Sequence, residues 1–255
     1  FMPLSILYIG WLRLLRVYLV SVLLSFLAGL ILVHLLGVAP EKLFSVSSTR
    51  ISYVVPILDA GVELGADQGT ILFLWNSMVA MVTILFFYAY IFFNPVEKEK
   101  FPKLLRSMLC GKNRMKLLCY LPGARSIEQE SLRRLYVWLM IPMLGMMLLG
   151  LETGMMITAG GHNFATYLTS FLAFLPHGII EIPVIAFAGS VSFSAHLLVK
   201  KYVSFMKQDQ VFAKVAEYEK ELPIKKICIL TIVGLLAAGM LEAYVTPSVM
   251  SLVSL

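Results

Sequence analysis

Five long apolar runs, separated by segments that carry most of the charge, organise this chain. They occupy roughly 14–37, 69–94, 135–157, 177–199 and 227–247. Each approaches or exceeds the ~20 residues that an α-helix needs to cross a bilayer. The pattern predicts an all-α, polytopic membrane protein with about five transmembrane helices in a single domain over 1–255.

A sixth apolar piece is too short to span. Residues 164–175 make 12 positions, about 18 Å of helix against a hydrocarbon core about 30 Å thick. Pro176 and Gly178 follow at once. The reading that follows is a re-entrant half-helix that enters from outside and turns back at Pro176-His177-Gly178, a geometry tolerated at membrane depth when it is buried in protein. The competing reading is one long kinked helix over 164–199. Interfacial helices are expected beside the spans. One is at the start, MPLSILYIGWLRLLR, anchored by Tyr8 and Trp11; another is in RISYVVPILDAGVELG of the 38–68 segment. The start lacks a small-residue cleavage site and does not read as a signal peptide.

Composition agrees: 59% of residues are hydrophobic and 14% charged, with mean hydropathy +0.85, against about 45–50% and about 25% in soluble domains. Charge then sets orientation. Of 21 Lys and Arg residues, only Lys42 and Arg50 fall outside three segments: Arg13 and Arg16 at the start of the first run, the 95–134 loop and the 200–226 loop. All three lie on one side of a five-span chain. The positive-inside rule therefore predicts a plasma-membrane protein with a cytoplasmic N-terminus and an outside C-terminus. The 95–134 loop interleaves leucines with its cations and reads as an amphipathic hairpin on anionic lipid, with a cytoplasmic partner as the alternative. No nucleic-acid-binding motif accompanies the charge. Cys110, Cys119 and Cys228 match no zinc spacing and read as reduced thiols.

The candidate chemistry lies inside the spans. LPHGIIEIP, 175–183, places His177 and Glu181 four residues apart, on one helix face. Ionisable groups at membrane depth are costly and mark functional-site candidates. On the five-span reading Glu152, Glu181, Glu242, Asn76 and His34 fall within about one helical turn of one another in depth, a polar layer in the outer third of the membrane. Three readings compete for it. One is a structural network that fixes helix packing. A second is a divalent metal such as zinc on His177, Glu181, Glu242, Glu152 and His34. A third is a proton or solute pathway. His162 and His196 lie away from the layer. Metalloprotease, serine-hydrolase, paired-aspartate and Walker signatures are absent, so no catalytic residue is assigned. Small residues recur in the helices, among them Gly145, Gly150 and Gly154; such faces permit close helix packing and are compatible with a homodimer.

With these segments in view, the chain resembles the stage II sporulation protein M family over roughly 15–250. LPHGIIEIP followed by a small-residue helix matches one family segment. Leu241 to Pro247, LEAYVTP, matches a second, and Asn76 in FLWNSMVAM a third. The resemblance marks Asn76, His177, Gly178, Glu181, Pro183, Glu242 and Pro247, with Pro176 in the same motif. It implies a membrane scaffold or assembly factor with envelope-protein partners. In spore formers, the family member scaffolds cell-wall hydrolases with two other sporulation proteins. Homologues also occur where there is neither sporulation nor peptidoglycan. The long basic 95–134 loop departs from the family pattern and puts that partnership in question. An intramembrane metal-dependent hydrolase is the runner-up, and a transporter of a small solute or ion comes third.

Overall fold

In a computed structural model that describes residues 2–47, 55–63, 65–95, 123–161 and 164–245, every regular element is helical. Helix α1, Met2–Leu30, runs on through a π-helical turn, Ile31–Leu35; α2 is Pro40–Ser47 and α3 is Val55–Glu63. Helix α4, Gln68–Leu85, is prolonged by a 3₁₀ turn and a short α5, Ala89–Phe93. Helices α6, Glu130–Ala159, α7, Phe164–Tyr202, and α8, Gln208–Glu221, follow; α9, Ile224–Met240, ends in a second π-helical turn, Leu241–Val245. Five stretches are long and apolar enough to cross a membrane: Leu4–Leu35, Gly69–Phe93, Glu130–Ala159, Gly178–Tyr202 and Ile224–Val245. They match the five apolar runs in number and order. The chain is an all-α, multi-pass membrane protein.

The expected re-entrant turn is not there. Helix α7 passes unbroken through Pro176, Gly178 and Pro183 for 39 residues, about 58 Å. The reason is packing. It lies against α1, α6, α4 and α9, and in a bilayer a broken backbone has no water to turn to, so a proline is absorbed within the helix. The indole Nε1 of Trp11 donates to the Pro183 carbonyl at 2.9 Å. That bond also corrects the reading of the N-terminus. There is no separate interfacial helix; α1 is continuous from Met2, with Leu7 and Leu14 buried. Gly10 brings its backbone against Ser190 and Ser194 of α7. Most of the basic 95–134 loop, with Cys110 and Cys119, lies outside the described residues, as do His162 and Pro247.

Helices α1 and α6 close on each other through small residues at every fourth position. A Cβ on Gly150 would sit 2.5 Å from the Tyr18 carbonyl oxygen and 2.8 Å from the Ser21 Cβ. One on Gly154 would collide with Ser25 Oγ and the Val22 carbonyl, and one on Gly29 with Thr158. Ser25 Oγ donates to the Gly150 carbonyl at 3.3 Å, and Thr158 Oγ1, bonded within α6 to the Gly154 carbonyl at 3.0 Å, also reaches the Phe26 carbonyl of α1 at 3.4 Å. The Gly-xxx-Gly spacing of α6 is therefore used within the chain, against α1.

At the basic end of the bundle, Lys200, Lys201, Lys225 and Lys226 flank α8, which docks by burying Val211, Phe212, Val215 and Tyr218. Tyr218 Oη donates to Ser194 Oγ at 2.9 Å, and the Tyr90 hydroxyl donates to Glu219. Burial pushes the Tyr218 phenol up from 10 to about 12, opposed in part by the Ser194 hydrogen bond. The neutral phenol is thus favoured in the fold. Its contribution is complete below pH 10 and is lost as the pH rises to about 12. The rise from 10 to about 12 corresponds to roughly 2–3 kcal/mol. Protection of the α8 amides, measured relative to their intrinsic base-catalysed exchange, is expected to fall across that window, and Tyr218→Phe to remove that fall.

Candidate functional site

Glycines decide where the polar groups of α4, α7 and α9 meet. At the α4–α9 crossing a Cβ on Gly69 would lie 3.3 Å from the Gly239 carbonyl oxygen, and one on Gly239 3.3 Å from that of Gly69. Gly234 admits Val184 of α7, whose Cγ2 would be 2.6 Å from an added Cβ. These approaches bring the π-helical turn that carries Glu242 beside α4 and α7. Asn76 Nδ2 donates to Glu181 Oε1 at 2.8 Å, linking α4 to α7. Glu242 lies within electrostatic reach of Glu181. All three residues are half-buried.

Two further groups stand beside them. Tyr18 of α1 is within electrostatic reach of Glu181 and donates through its hydroxyl to Thr153 Oγ1 of α6 at 3.3 Å; Thr153 in turn donates to the Leu149 carbonyl at 2.9 Å. Sequence reading missed both. The signal was a single tyrosine inside the leucine- and valine-rich run of α1, which attention to carboxylates and imidazoles passes over.

The other predicted residues divide. His34 does not belong to the layer. It lies sixteen residues beyond Tyr18 on α1, about 24 Å further along the helix, and its Nε2 is hydrogen-bonded to the Tyr167 hydroxyl at 2.8 Å. The depth comparison failed because α7 does not begin at His177. It starts thirteen residues earlier and runs alongside α1, so Glu181 comes opposite the middle of α1 and not its end. Glu152 is half-buried next to Thr153. His177 lies in α7 one turn before Glu181, and Pro176 lies within the same helix. Gly178 faces open space, since a Cβ there meets no atom within 4 Å. Pro183 takes part through its carbonyl, the acceptor for Trp11. Away from the cluster, His196 Nδ1 bonds the Tyr136 carbonyl at 2.9 Å and its ring stacks on Phe193. Among the described residues no three His, Cys, Asp or Glu side chains converge as a metal site.

Both π-helical turns carry candidate residues, His34 in Ile31–Leu35 and Glu242 in Leu241–Val245. Such turns add a residue to the helical repeat and often occur at functional sites. Chemically, the cluster offers a carboxyl held by an amide, with a second carboxyl close by. That arrangement suits helix bridging, and it leaves acceptor capacity for a proton or a cation.

A family model described as stage II sporulation protein M matches residues 18–247. No curated protein and no solved structure matches the chain.

Proposed function

Because the chain belongs to the stage II sporulation protein M family, we propose that it is an integral membrane scaffold or assembly factor whose Asn76–Glu181–Glu242 cluster locks three helices together. The carrying observation is the 2.8 Å hydrogen bond from Asn76 to Glu181: a carboxyl within a membrane-crossing helix is met by a donor from a neighbouring helix. Other interhelical bonds have the same character, Trp11 to Pro183, Ser25 to Gly150 and Ser192 to the Thr83 carbonyl at 2.7 Å. A frame stitched this way presents fixed surfaces at both membrane faces. The charge bias puts the N-terminus and the basic loops on the cytoplasmic side, where anionic lipid meets them. The partners are other membrane or envelope proteins.

Proteoliposomes containing the full chain test this reading against a transporter or enzyme. The expected result is no proton or divalent-cation flux that depends on Glu181, together with cross-linking of the chain into a larger complex in its native membrane. A flux abolished by Glu181→Gln would overturn the scaffold reading.

One observation favours a second reading. Glu242 lies within electrostatic reach of Glu181, and a cation shared by two carboxylates at membrane depth would relieve their repulsion. On this reading a divalent ion is held by Glu181 and Glu242 with His177. Metal analysis of the purified chain then gives about one ion per chain, reduced to background by His177→Ala or Glu181→Ala. Background metal in the parent protein contradicts it.

A further inference from the structure

Along the outside of α1, where it meets the end of α6 and the first turns of α7, runs a groove of about 640 Å³. Its walls include Leu19, Val22, Phe26 and Phe171, and its polar features are His34 and Tyr167 at one end. From Leu19 to His34 it covers fifteen residues of α1, about 22 Å at 1.5 Å per residue. That is half of a bilayer about 40–45 Å thick with its headgroups, the depth of one leaflet. The His34 end lies at the water boundary: beyond it α1 stops, and the exposed Gly37, Glu41 and Lys42 follow.

We propose that this groove is a binding site for one phospholipid, with an acyl chain lying between α1 and α7 and the phosphate–glycerol region held at His34 and Tyr167. Three observations agree on that occupant. The volume lies within the ~300–1,000 Å³ of small-molecule sites, and the length is that of a single chain. The apolar wall belongs to a membrane-crossing segment, Leu4–Leu35, so its surroundings are hydrocarbon. The polar end is built. Tyr167 packs edge-on against Phe26 at 5.8 Å and against His34 at 6.2 Å, and its hydroxyl meets His34 Nε2 at 2.8 Å. With the hydroxyl donating to Nε2, Nδ1–H is left as a donor for a phosphate or ester oxygen. The π-helical turn Ile31–Leu35 that carries His34 is a second irregularity of the kind found at binding sites. Tyrosine at headgroup depth is the ordinary amphipathic anchor.

The test uses the full chain reconstituted in nanodiscs of phosphatidylethanolamine and phosphatidylglycerol, with retained phospholipid counted by native mass spectrometry. One phospholipid per chain is expected. Leu23→Trp with Leu168→Trp, both at exposed positions of the groove wall, is expected to reduce its occupancy at least tenfold. His34→Gln with Tyr167→Phe is expected to reduce it about three- to tenfold, since the apolar trough remains. Equal retention by the parent and the Leu23/Leu168 variant would overturn the site. So would a dimer of the Leu23→Cys variant cross-linked at that position with no lipid between the copies. A measurement on the unaltered chain removes dependence on variant folding. Phospholipid brominated in its acyl chain is expected to put bromine density in the groove by electron cryomicroscopy, and a groove empty of bromine would contradict the proposal.

Discussion

Gly154→Val is expected to destabilise the chain by about 3 kcal/mol or more, the upper end of overpacking costs. An ordinary cavity-side substitution lets a flexible side chain move aside. Here the obstacles are backbone: the Val22 carbonyl, and the Phe26 amide nitrogen 2.8 Å from the added Cβ, with Ser25 Oγ also in the way. Helix α1 can yield only by moving as a body, which breaks the Ser25-to-Gly150 bond, pulls the Phe26 carbonyl away from Thr158 and opens the Tyr18–Thr153 contact. For a fold whose whole stability is about 5–15 kcal/mol, this is a large fraction. Thermal unfolding in nanodiscs reads it as a fall of roughly 6–12 °C on the usual scale for chains of this size. Gly145→Ala and Gly178→Ala are the controls. Neither added Cβ meets an atom within 4 Å, so both are expected to be neutral or to stabilise by up to about 1 kcal/mol through helix propensity.

Asn76→Leu is expected to cost about 1–3 kcal/mol, the penalty for leaving a buried polar group without its partner. The lost hydrogen bond is the smaller part, because bonds between membrane helices average about 0.6 kcal/mol. The larger part is the stranded Glu181 carboxyl, which keeps Glu242 as a neighbour and loses its donor. Glu181→Gln is expected to be mild, since a glutamine carbonyl can accept the same Asn76 hydrogen bond. The ordering Asn76→Leu below Glu181→Gln, read as midpoint temperatures in the same nanodiscs, distinguishes an orphaned acid from a generally fragile site.

Much of this was legible in the sequence because a bilayer simplifies the problem. Apolar runs long enough to cross it must be helices, and the five runs became five spanning stretches with ends shifted by a few residues; the largest shift, at the start of α1, is ten. Asn76 and Glu181 are both legible as polar groups at membrane depth, but their pairing, between the second and fourth spans, is given by the fold alone. Relative depth was not legible. A span that starts at His177 sets Glu181 level with His34, whereas α7 begins at Phe164 and brings Glu181 to Tyr18 instead. The misreading of Pro176 has the same root. Proline weakens a helix in water, where the chain has alternatives, and α7 has four helices packed along it instead. Helix α8 presented no spanning run, and its docking depends on Tyr218 reaching Ser194 across 24 residues of chain, which no local pattern announces. The glycines of α6 were seen as small faces, but only the fold assigns them to α1.

The claim that Glu181 serves to hold helices together is tested most directly by a double-mutant cycle between Asn76→Leu and Glu181→Leu, with unfolding free energies measured in lipid. A helix lock predicts that the double variant is less damaged than the sum of the two single ones, with a coupling of about 0.5–2 kcal/mol. Strict additivity, with each single variant as stable as the parent, would contradict it.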